Sequence, residues 1–346
     1  MQEPRVILGN SNAKFSGVTS TMLQTLPYLR DRIPLAVLGA HHLPEGTPSL
    51  TFRQLLTVAR GSQSPILFHA RRNDEMLQAL LAKKLGAPLK IIFTSTAQRY
   101  HSNFTKALIN RMDGLITTCA GAASYLHRPA DVTIPHGVDL ERYRLPENKE
   151  AAWKALGYPG EFGIGIFGRV RPQKGTHLLV RAAIPLLREN PRATILIIGE
   201  TTAKFQSFQQ ELEQEIKQSG LSKRILFLGK QPFDRLPQLY QGLHLVTALS
   251  ENEGFGLTPL EAMASGCAVI ATKAGAWPEI VREEKTGNLI PVNDQEALSQ
   301  SLQKALAHPE HLLELGQAGH ESVHQNFSIA HEAEALLQYY RTFLPQ

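Results

Sequence analysis

Short apolar runs alternate along this chain with longer segments whose apolar positions have helical spacing. In the N-terminal part the apolar runs predict strands at Val6–Leu8, Leu35–Leu38, Pro65–Phe68, Lys90–Phe93, Gly114–Thr117 and Val132–Ile134. In the C-terminal part they predict strands at Phe162–Gly168, Thr194–Ile198, Ile225–Leu228 and Leu243–Leu249. Strands that alternate with helices favour parallel sheets covered by helices on both faces.

The segments between the strands predict helices. The clearest are Val18–Leu29, Ala151–Leu156, Phe205–Ser219, Asp294–Ala307 and Ile329–Phe343. Asn293 is the expected N-cap of the fourth of these helices. A chain of 346 residues is longer than one hydrophobic core usually supports, so two α/β domains are predicted. Residues 146–162, which are rich in Pro and Gly, are the expected linker.

Composition indicates an ordinary globular protein, with 42% hydrophobic and 19% charged residues. No run of eighteen apolar residues occurs, so we expect no membrane span. Met1 leads almost directly into the first strand, so we expect no signal peptide and a cytoplasmic location. Cys119 and Cys267 are far apart and fit no metal or redox motif, so both are expected to be reduced core thiols.

Positive charge is concentrated in the N-terminal part of the chain. Residues 1–150 hold 18 Lys and Arg against 11 Asp and Glu, whereas the remainder holds 18 against 20. This excess favours an anionic partner, and an anionic lipid or a phosphorylated glycan is preferred because no nucleic-acid-binding motif is present. A local candidate is the segment Arg99–Met112, where Phe104, Leu108 and Met112 share one helical face. Such a helix can lie on an anionic membrane surface or pack against a sheet.

The segment Ser250–Glu261 organises the chemistry of the C-terminal part. It follows a predicted strand and leads into a helical run that begins near Pro259 and ends at Ser265. Glu253 and Glu261 lie eight positions apart, and glycines next to Glu253 allow a ligand to approach the backbone. Carboxylates accept hydrogen bonds from hydroxyl groups, so the pair suits a sugar or a ribose beside a phosphate.

These residues resemble the E-x7-E signature of retaining, family-4 glycosyltransferases with the GT-B fold. The resemblance extends over Glu261–Ile270, Gly275–Val281 and Thr286–Ile290. It implies two Rossmann-like α/β domains with parallel sheets facing across a cleft and a C-terminal helix that crosses back. We accordingly place the N-terminal, acceptor-binding domain at residues 1–150 with 329–346, and the donor-binding domain at 151–328.

A second block of the family is present after the strand that opens the C-terminal domain. Gly163, Gly165 and Gly168 formally match a dinucleotide fingerprint, but they lie within the apolar strand instead of after it. The following Arg169 to Gly175 instead resembles the family's G-R-x-x-x-x-K-G block. Arg169 and Lys174 leave the same loop, so both can reach a diphosphate.

By resemblance, Glu253 contacts the hydroxyls of the donor sugar and Glu261 those of the ribose. The backbone from Gly254 through Phe255 and Gly256 to Leu257 is expected to bind the donor as well. Departure of a diphosphate requires its negative charge to be stabilised. The sequence contains no Asp-x-Asp motif, so Arg169 and Lys174 are expected to do this without a metal or another cofactor. We expect Arg169, Lys174 and Glu253 to be the catalytic residues.

Fewer residues in the N-terminal part match the sequence blocks of the glycosyltransferase family. Strand, polar loop and helix at Val6–Leu29 repeat a phosphate-binding arrangement, with Ser16 and Gly17 where relatives often have two glycines. Gly17 is assigned to the donor, and Ser16, His101 and His136 are candidates for the acceptor side. His69, by contrast, and Asp139, in a turn, are expected to be structural.

The blocks Thr94–His101 and Ile134–Asp139 are similar to those of bacterial lipopolysaccharide-core transferases, especially mannosyltransferases. The resemblance implies transfer of a hexose or heptose from a nucleotide sugar to a glycan or glycolipid at the inner face of the bacterial inner membrane. Two alternatives stay open, a nucleotide-sugar epimerase of the same fold and a non-catalytic protein that binds nucleotide sugars.

Overall fold

The computed structural model describes residues 3–345, in two α/β units. The described residues up to Gly137, with those from Ile329 onward, form the N-terminal unit, and Val138–Ser328 form the C-terminal unit. The sequence predicts no signal peptide at the N-terminus. The first two residues there, Met1 and Gln2, lie outside the described residues. Within residues 3–345 no helix is both long enough and apolar enough to cross a membrane.

Each unit contains one parallel sheet. The strands of the N-terminal unit are β1 (Val6–Gly9), β2 (Leu35–Leu38), β3 (Ser49–Leu50), β4 (Ile66–Ala70), β5 (Leu89–Ser95), β6 (Gly114–Thr117) and β7 (Val132–Thr133). Those of the C-terminal unit are β8 (Phe162–Phe167), β9 (Ala193–Ile198), β10 (Ile225–Gly229), β11 (Leu245–Ala248), β12 (Ala268–Thr272) and β13 (Asn288–Ile290). Most of these residues are buried, because helices cover both faces of a parallel sheet, and the main exceptions lie in the edge strands β3, β7, β10 and β13.

Helices connect the strands. In the N-terminal unit they are α1 (Gly17–Arg30), α2 (Phe52–Gly61), α3 (Asn73–Lys84), α4 (Asn103–Ile109) and α5 (Ala120–Ala123). In the C-terminal unit they are α6 (Lys149–Ala155), α7 (Thr176–Glu189), α8 (Gln206–Gln218), α9 (Leu236–Gly242), α10 (Thr258–Ala264), α11 (Trp277–Ile280), α12 (Gln295–Ala307) and α13 (Pro309–Asn326). The final helix, α14 (Ile329–Arg341), belongs to the N-terminal unit and packs against α1.

Strand order creates one reversal point in each sheet. The N-terminal sheet has the order β3-β2-β1-β4-β5-β6-β7, and the C-terminal sheet has the order β10-β9-β8-β11-β12-β13. The direction of winding reverses between β1 and β4 and between β8 and β11. In open parallel sheets ligands bind at the carboxyl ends of the two strands that flank such a reversal. This predicts one binding region in each unit.

Most predicted elements are present, and one local prediction, the cap of α12, needs correction. The cap of α12 is Asp294, whose carboxylate accepts a hydrogen bond from the Ala297 amide, whereas Asn293 adopts a left-handed conformation. In the segment Arg99–Met112 the predicted apolar stripe faces inward, because Leu108 and Met112 are buried and only Phe104 is exposed. The structure also contains elements that the sequence analysis did not name, among them β3, β12, β13 and α13.

Candidate active site

The loop after β8 carries two of the predicted cations. Arg169 is exposed, and its guanidinium forms no hydrogen bond or ion pair with any of residues 3–345. Lys174 ends a single 3₁₀ turn, Pro172–Lys174, immediately before α7. Both side chains therefore start from the carboxyl end of β8, as the sequence predicted.

Close packing joins this loop to the end of β11. Gly175 has a φ of 73°, and a Cβ atom at that position would lie 2.4 Å from Cβ of Leu249. The amide of Glu251 donates a 3.0 Å hydrogen bond to the carbonyl of Gln173. A larger residue at Gly175 would push the two loops apart, so this glycine is required for the site to form.

Glu253 lies where these two loops meet. Its Oε2 atom accepts hydrogen bonds from the ammonium of Lys174 and, at 3.3 Å, from the hydroxyl of Ser250. The side chains of Lys174 and Glu253 are 20% and 23% exposed, so a ligand can reach both. The reversal point of the C-terminal sheet thus combines a carboxylate with two cations, one paired and one unpaired.

The backbone after Glu253 is held by the first residue of α11, Trp277. Gly256 has a φ of 80°, and its carbonyl accepts a 3.0 Å hydrogen bond from the indole of Trp277. The ring of Phe255 is buried, so this residue can offer only its backbone to a ligand. Leu257 occupies the N-cap position of α10, and Glu261 lies in the first turn of that helix.

Glu261 is surrounded by aromatic residues. The hydroxyl of Tyr240, on α9, donates a 2.8 Å hydrogen bond to Oε2 of Glu261. Phe167 stacks on the ring of Tyr240 at 3.8 Å between centroids. Burial raises the pKa of Glu261, although Tyr240, Tyr143 and Arg142 oppose this by stabilising the carboxylate. The carboxylate of Glu261 therefore lies beside aromatic rings. This combination of a hydrogen-bond acceptor and apolar surface is suitable for binding a ribose.

In the N-terminal unit the loop after β1 contains Ser16 and Gly17. Ser16 is the N-cap residue of α1, but its hydroxyl does not cap the helix. Instead it accepts a 2.9 Å hydrogen bond from Nη2 of Arg72, which also donates to Thr19 at 2.7 Å. A Cβ atom at Gly17 would meet nothing within 4 Å. The fold therefore leaves space beside Gly17 at the start of α1.

The three histidines considered from the sequence differ in their surroundings. His101 is half-buried, its Nε2 lies 3.1 Å from Oγ of Ser95, and burial and Arg99 lower its pKa. His136 is buried, and its Nδ1 lies 2.7 Å from Oε1 of Glu332 on α14. His69 is fully buried between Thr94 and Tyr340. His101 stays a candidate for the acceptor side, whereas His136 and His69 hold α14 to the sheet.

Sequence reasoning missed Tyr240, Arg71 and Arg72. Nothing in the sequence marked Tyr240 as a site residue, because an aromatic residue on an amphipathic helix usually packs in a core. The consecutive arginines Arg71 and Arg72 could have been noticed, since they directly follow a buried strand. Asp139 behaves as expected for a turn residue, with Oδ1 accepting from the amides of Glu141 and Arg142.

Two parallel-sheet units, with cations and carboxylates at the reversal point of the second, define a glycosyltransferase of the GT-B fold. The family model described as glycosyl transferases group 1 matches residues 148–322, and the chain belongs to this family. The lipopolysaccharide core biosynthesis mannosyltransferase LpcC of Rhizobium leguminosarum bv. viciae is 42% identical over 348 residues, which cover 99% of this chain and 98% of that protein.

Solved structures agree with this membership. The C-terminal domain of a group 1 family glycosyl transferase from Francisella tularensis is 40% identical and covers 56% of this chain and 99% of its own, with a TM-score of 0.54. Anabaena HepE, solved in complex with UDP, covers 98% of this chain and 100% of its own with a TM-score of 0.84. At 20% identity the likeness to HepE shows the fold alone.

Proposed function

We propose that this protein transfers a hexose or heptose, with mannose favoured, from a nucleotide-diphosphate sugar to the lipopolysaccharide core, with retention of configuration and without a metal. The observation that carries the proposal is the contact between Lys174 and Glu253 at the reversal point of the C-terminal sheet. The choice of sugar and acceptor is supported by the name of the 42% identical Rhizobium protein.

The proposed reaction breaks the bond between the sugar C1 atom and an oxygen of the diphosphate. An acceptor hydroxyl oxygen bonds to C1 from the same face, and its proton passes to the departing phosphate oxygen. Arg169 and Lys174 stabilise the charge that develops on that phosphate, since guanidinium and ammonium groups bind phosphate strongly. Glu253 orients the sugar hydroxyls, and Glu261 binds the ribose.

Metal independence is part of the proposal. Within residues 3–345 no group of three or more His, Cys, Asp or Glu side chains is placed to hold a metal ion. We expect turnover to survive an excess of EDTA. Loss of turnover on chelation, with recovery after magnesium or manganese is added, would show that a metal takes the place assigned to Arg169 and Lys174.

We also infer that the N-terminal unit docks on an anionic membrane surface. The inward-facing residues of α4 do not serve this role. In contrast, Leu77 and Leu81 on α3 and Leu85 at its C-cap are 44%, 49% and 43% exposed and lie one helical turn apart. Residues 76–112 contain six Lys and Arg and no Asp or Glu, and two of these cations, Lys83 and Lys90, pair with Asp113 directly after this segment. An exposed apolar stripe among cations is complementary to anionic lipid headgroups and the apolar layer beneath them.

The test of the proposed function is a transfer assay on the purified full chain. Nucleotide-diphosphate sugars with different bases and sugars are offered with a lipopolysaccharide core glycolipid that lacks mannose. We expect a mannosylated product whose anomeric configuration, read by NMR coupling constants, equals that of the donor. Conversion of the nucleotide sugar without an acceptor would favour the epimerase, and an inverted product would contradict retention.

A further inference from the structure

Two consecutive arginines follow β4 at the reversal point of the N-terminal sheet. Arg72 is fully engaged. It donates to the hydroxyls of Ser16 and Thr19 and, at 3.2 Å, to the carboxylate of Glu75, whose side chain is completely buried. Arg72 therefore positions the loop after β1, and its charge is already paired.

Arg71 is held less fully than Arg72, by a side-chain hydrogen bond to the hydroxyl of Tyr340 and by the charge of Glu75. Its amide donates to Glu75, but its guanidinium forms no ion pair, and the Nη1 atom is buried without a hydrogen-bond partner among residues 3–345. The residue as a whole is partly exposed.

The groups around Arg71 leave its Nη1 atom without a hydrogen bond among residues 3–345. His69 is fully buried, and its pKa lies well below the ordinary value because of burial and the nearby Arg71 charge, so the imidazole is neutral. Burial raises the pKa of Tyr340 to about 12, so that hydroxyl is neutral as well. The buried carboxylate of Glu332 is occupied by His136 and by the amide of Gly137.

A guanidinium with a buried, unsatisfied N–H group normally costs stability, because it has lost water without gaining an anion. A bound carboxylate or phosphate would satisfy it with short, charge-assisted hydrogen bonds. The region also lies where a parallel sheet binds its ligand.

We propose that Arg71 binds an anionic group of the acceptor glycan. The inference rests on the proposed function, since it assigns to the N-terminal unit the recognition of the acceptor. The shared chemistry is an oxyanion, which the acceptor can supply as the carboxylate of an acidic sugar or as a phosphate substituent. Arg71 then selects acidic acceptors over neutral glycans.

A kinetic experiment separates these sources. The wild type, Arg71→Ala and Arg71→Lys are assayed with the mannose-deficient core glycolipid in intact, carboxyl-reduced and dephosphorylated forms. Arg53→Ala, an exposed arginine on α2, removes the same charge elsewhere on the unit. Melting temperatures of all variants show whether each is folded.

With the intact acceptor, we expect Arg71→Ala to raise the acceptor KM about 10–100-fold, the usual effect of losing a charged hydrogen bond. The donor KM should stay unchanged, and Arg71→Lys should be intermediate. Either carboxyl reduction or dephosphorylation of the acceptor should raise the acceptor KM of the wild type by the same factor. That modification should not raise the acceptor KM of Arg71→Ala any further. An acceptor KM within twofold of wild type, or a changed donor KM, would overturn the proposal.

A binding experiment gives an answer that does not depend on transfer. Saturation-transfer NMR is recorded with glucuronate, glucose 6-phosphate and glucose after the donor site has been filled with nucleoside diphosphate. We expect a signal from at least one charged sugar in the wild type and in Arg53→Ala, and its loss in Arg71→Ala. Equal signals in Arg71→Ala, or none in the wild type, would overturn the Arg71 site. A wild type that binds the charged sugar but transfers nothing would count against the proposed function alone.

Discussion

The ammonium of Lys174 donates a hydrogen bond to the carboxylate of Glu253, 79 residues further along the chain. Each residue thus fixes the other at the meeting point of the loops after β8 and β11. Because the two act as a pair, removing either one also changes the other, and their effects should not simply add.

Loss of the cations should reduce turnover without unfolding the protein. We expect Arg169→Ala and Lys174→Ala to lower turnover by about 10²–10³, because each removes one group that stabilises the departing phosphate. The double variant Lys174→Ala with Glu253→Ala should lose less than the product of the single effects. Lys304→Ala, which breaks an exposed ion pair with Glu284, is the control and should keep its activity. Near-normal turnover of Lys174→Ala would remove this residue from the mechanism.

Nucleoside diphosphate affinity should depend on pH through Glu261. Burial raises the pKa of this carboxyl, so it takes up a proton at a higher pH than an ordinary glutamic acid as the pH falls. Since the ionised form is the better acceptor for ribose hydroxyls, affinity measured by calorimetry should fall as the pH is lowered through that pKa. Tyr240→Phe removes a hydrogen bond to the carboxylate and should move the transition to higher pH.

Two comparisons isolate this effect from titration of the phosphate. Glu261→Gln should bind nucleoside diphosphate more weakly at high pH and lose the transition. Inorganic diphosphate, which has no ribose, should show the same pH dependence with the wild type and with Glu261→Gln. A transition that persists in Glu261→Gln would assign it to another group.

Gly17 should matter for the ligand and not for folding. A Cβ atom there meets nothing, so Gly17→Ala should fold normally and gain up to about 1 kcal/mol of stability, because alanine favours a helix. Turnover should fall about 10–100-fold if a methyl group displaces the bound substrate. Gly61→Ala is a matched control, since Gly61 is also at a helix end with open space. Full activity of Gly17→Ala would show that the ligand does not approach this residue.

Membrane docking should depend on α3. Co-sedimentation with vesicles containing phosphatidylglycerol should be weakened by Leu77→Gln with Leu81→Gln, and by neutralising Lys84, Lys106 and Arg111 at about 1 kcal/mol each. High salt should also weaken it. Leu313→Gln, 51% exposed in the C-terminal unit, should have no effect. Equal binding to neutral phosphatidylcholine vesicles would contradict an electrostatic contribution.

Acid should destabilise the C-terminal unit through His244. Burial lowers the pKa of His244 to about 4, and its Nδ1 accepts a hydrogen bond from the amide of Gly163. The unfolded chain therefore binds a proton more readily, and the free energy of unfolding should decrease by about 2–3 kcal/mol as the pH falls from above 6.5 towards 4. Fluorescence can follow this, because both tryptophans, Trp153 and Trp277, lie in this unit.

The variant His244→Asn tests this assignment. Its amide oxygen can replace Nδ1 as the acceptor but does not titrate, so the decrease between neutral and acidic pH should become smaller by the stated amount. The exposed His324→Asn should behave as the wild type. An unchanged decrease in His244→Asn would assign the acid sensitivity to other groups, such as the buried His69.

Patterns that are local in the sequence were enough to predict most of the elements and to propose the residues of the C-terminal site. Strands such as β2 and β6 were predicted at their observed bounds, because a buried strand is a short apolar run in any context. Arg169, Lys174 and Glu253 were proposed because each belongs to a short block of residues that resembles a block of the glycosyltransferase family. Local patterns of this kind do not depend on strand order.

The tertiary structure decided which distant residues meet. That Lys174 pairs with Glu253 follows from β8 lying beside β11, and that Tyr240 reaches Glu261 follows from the placement of α9. Helical spacing gave α4 an apolar stripe but could not say whether the stripe faced the sheet or the solvent. Likewise, the sequence does not show that the two adjacent arginines after β4, Arg71 and Arg72, have different contacts. Only the fold brings Ser16 to Arg72 and leaves Nη1 of Arg71 buried without a hydrogen-bond partner among residues 3–345, because contacts between distant side chains depend on how the strands are ordered.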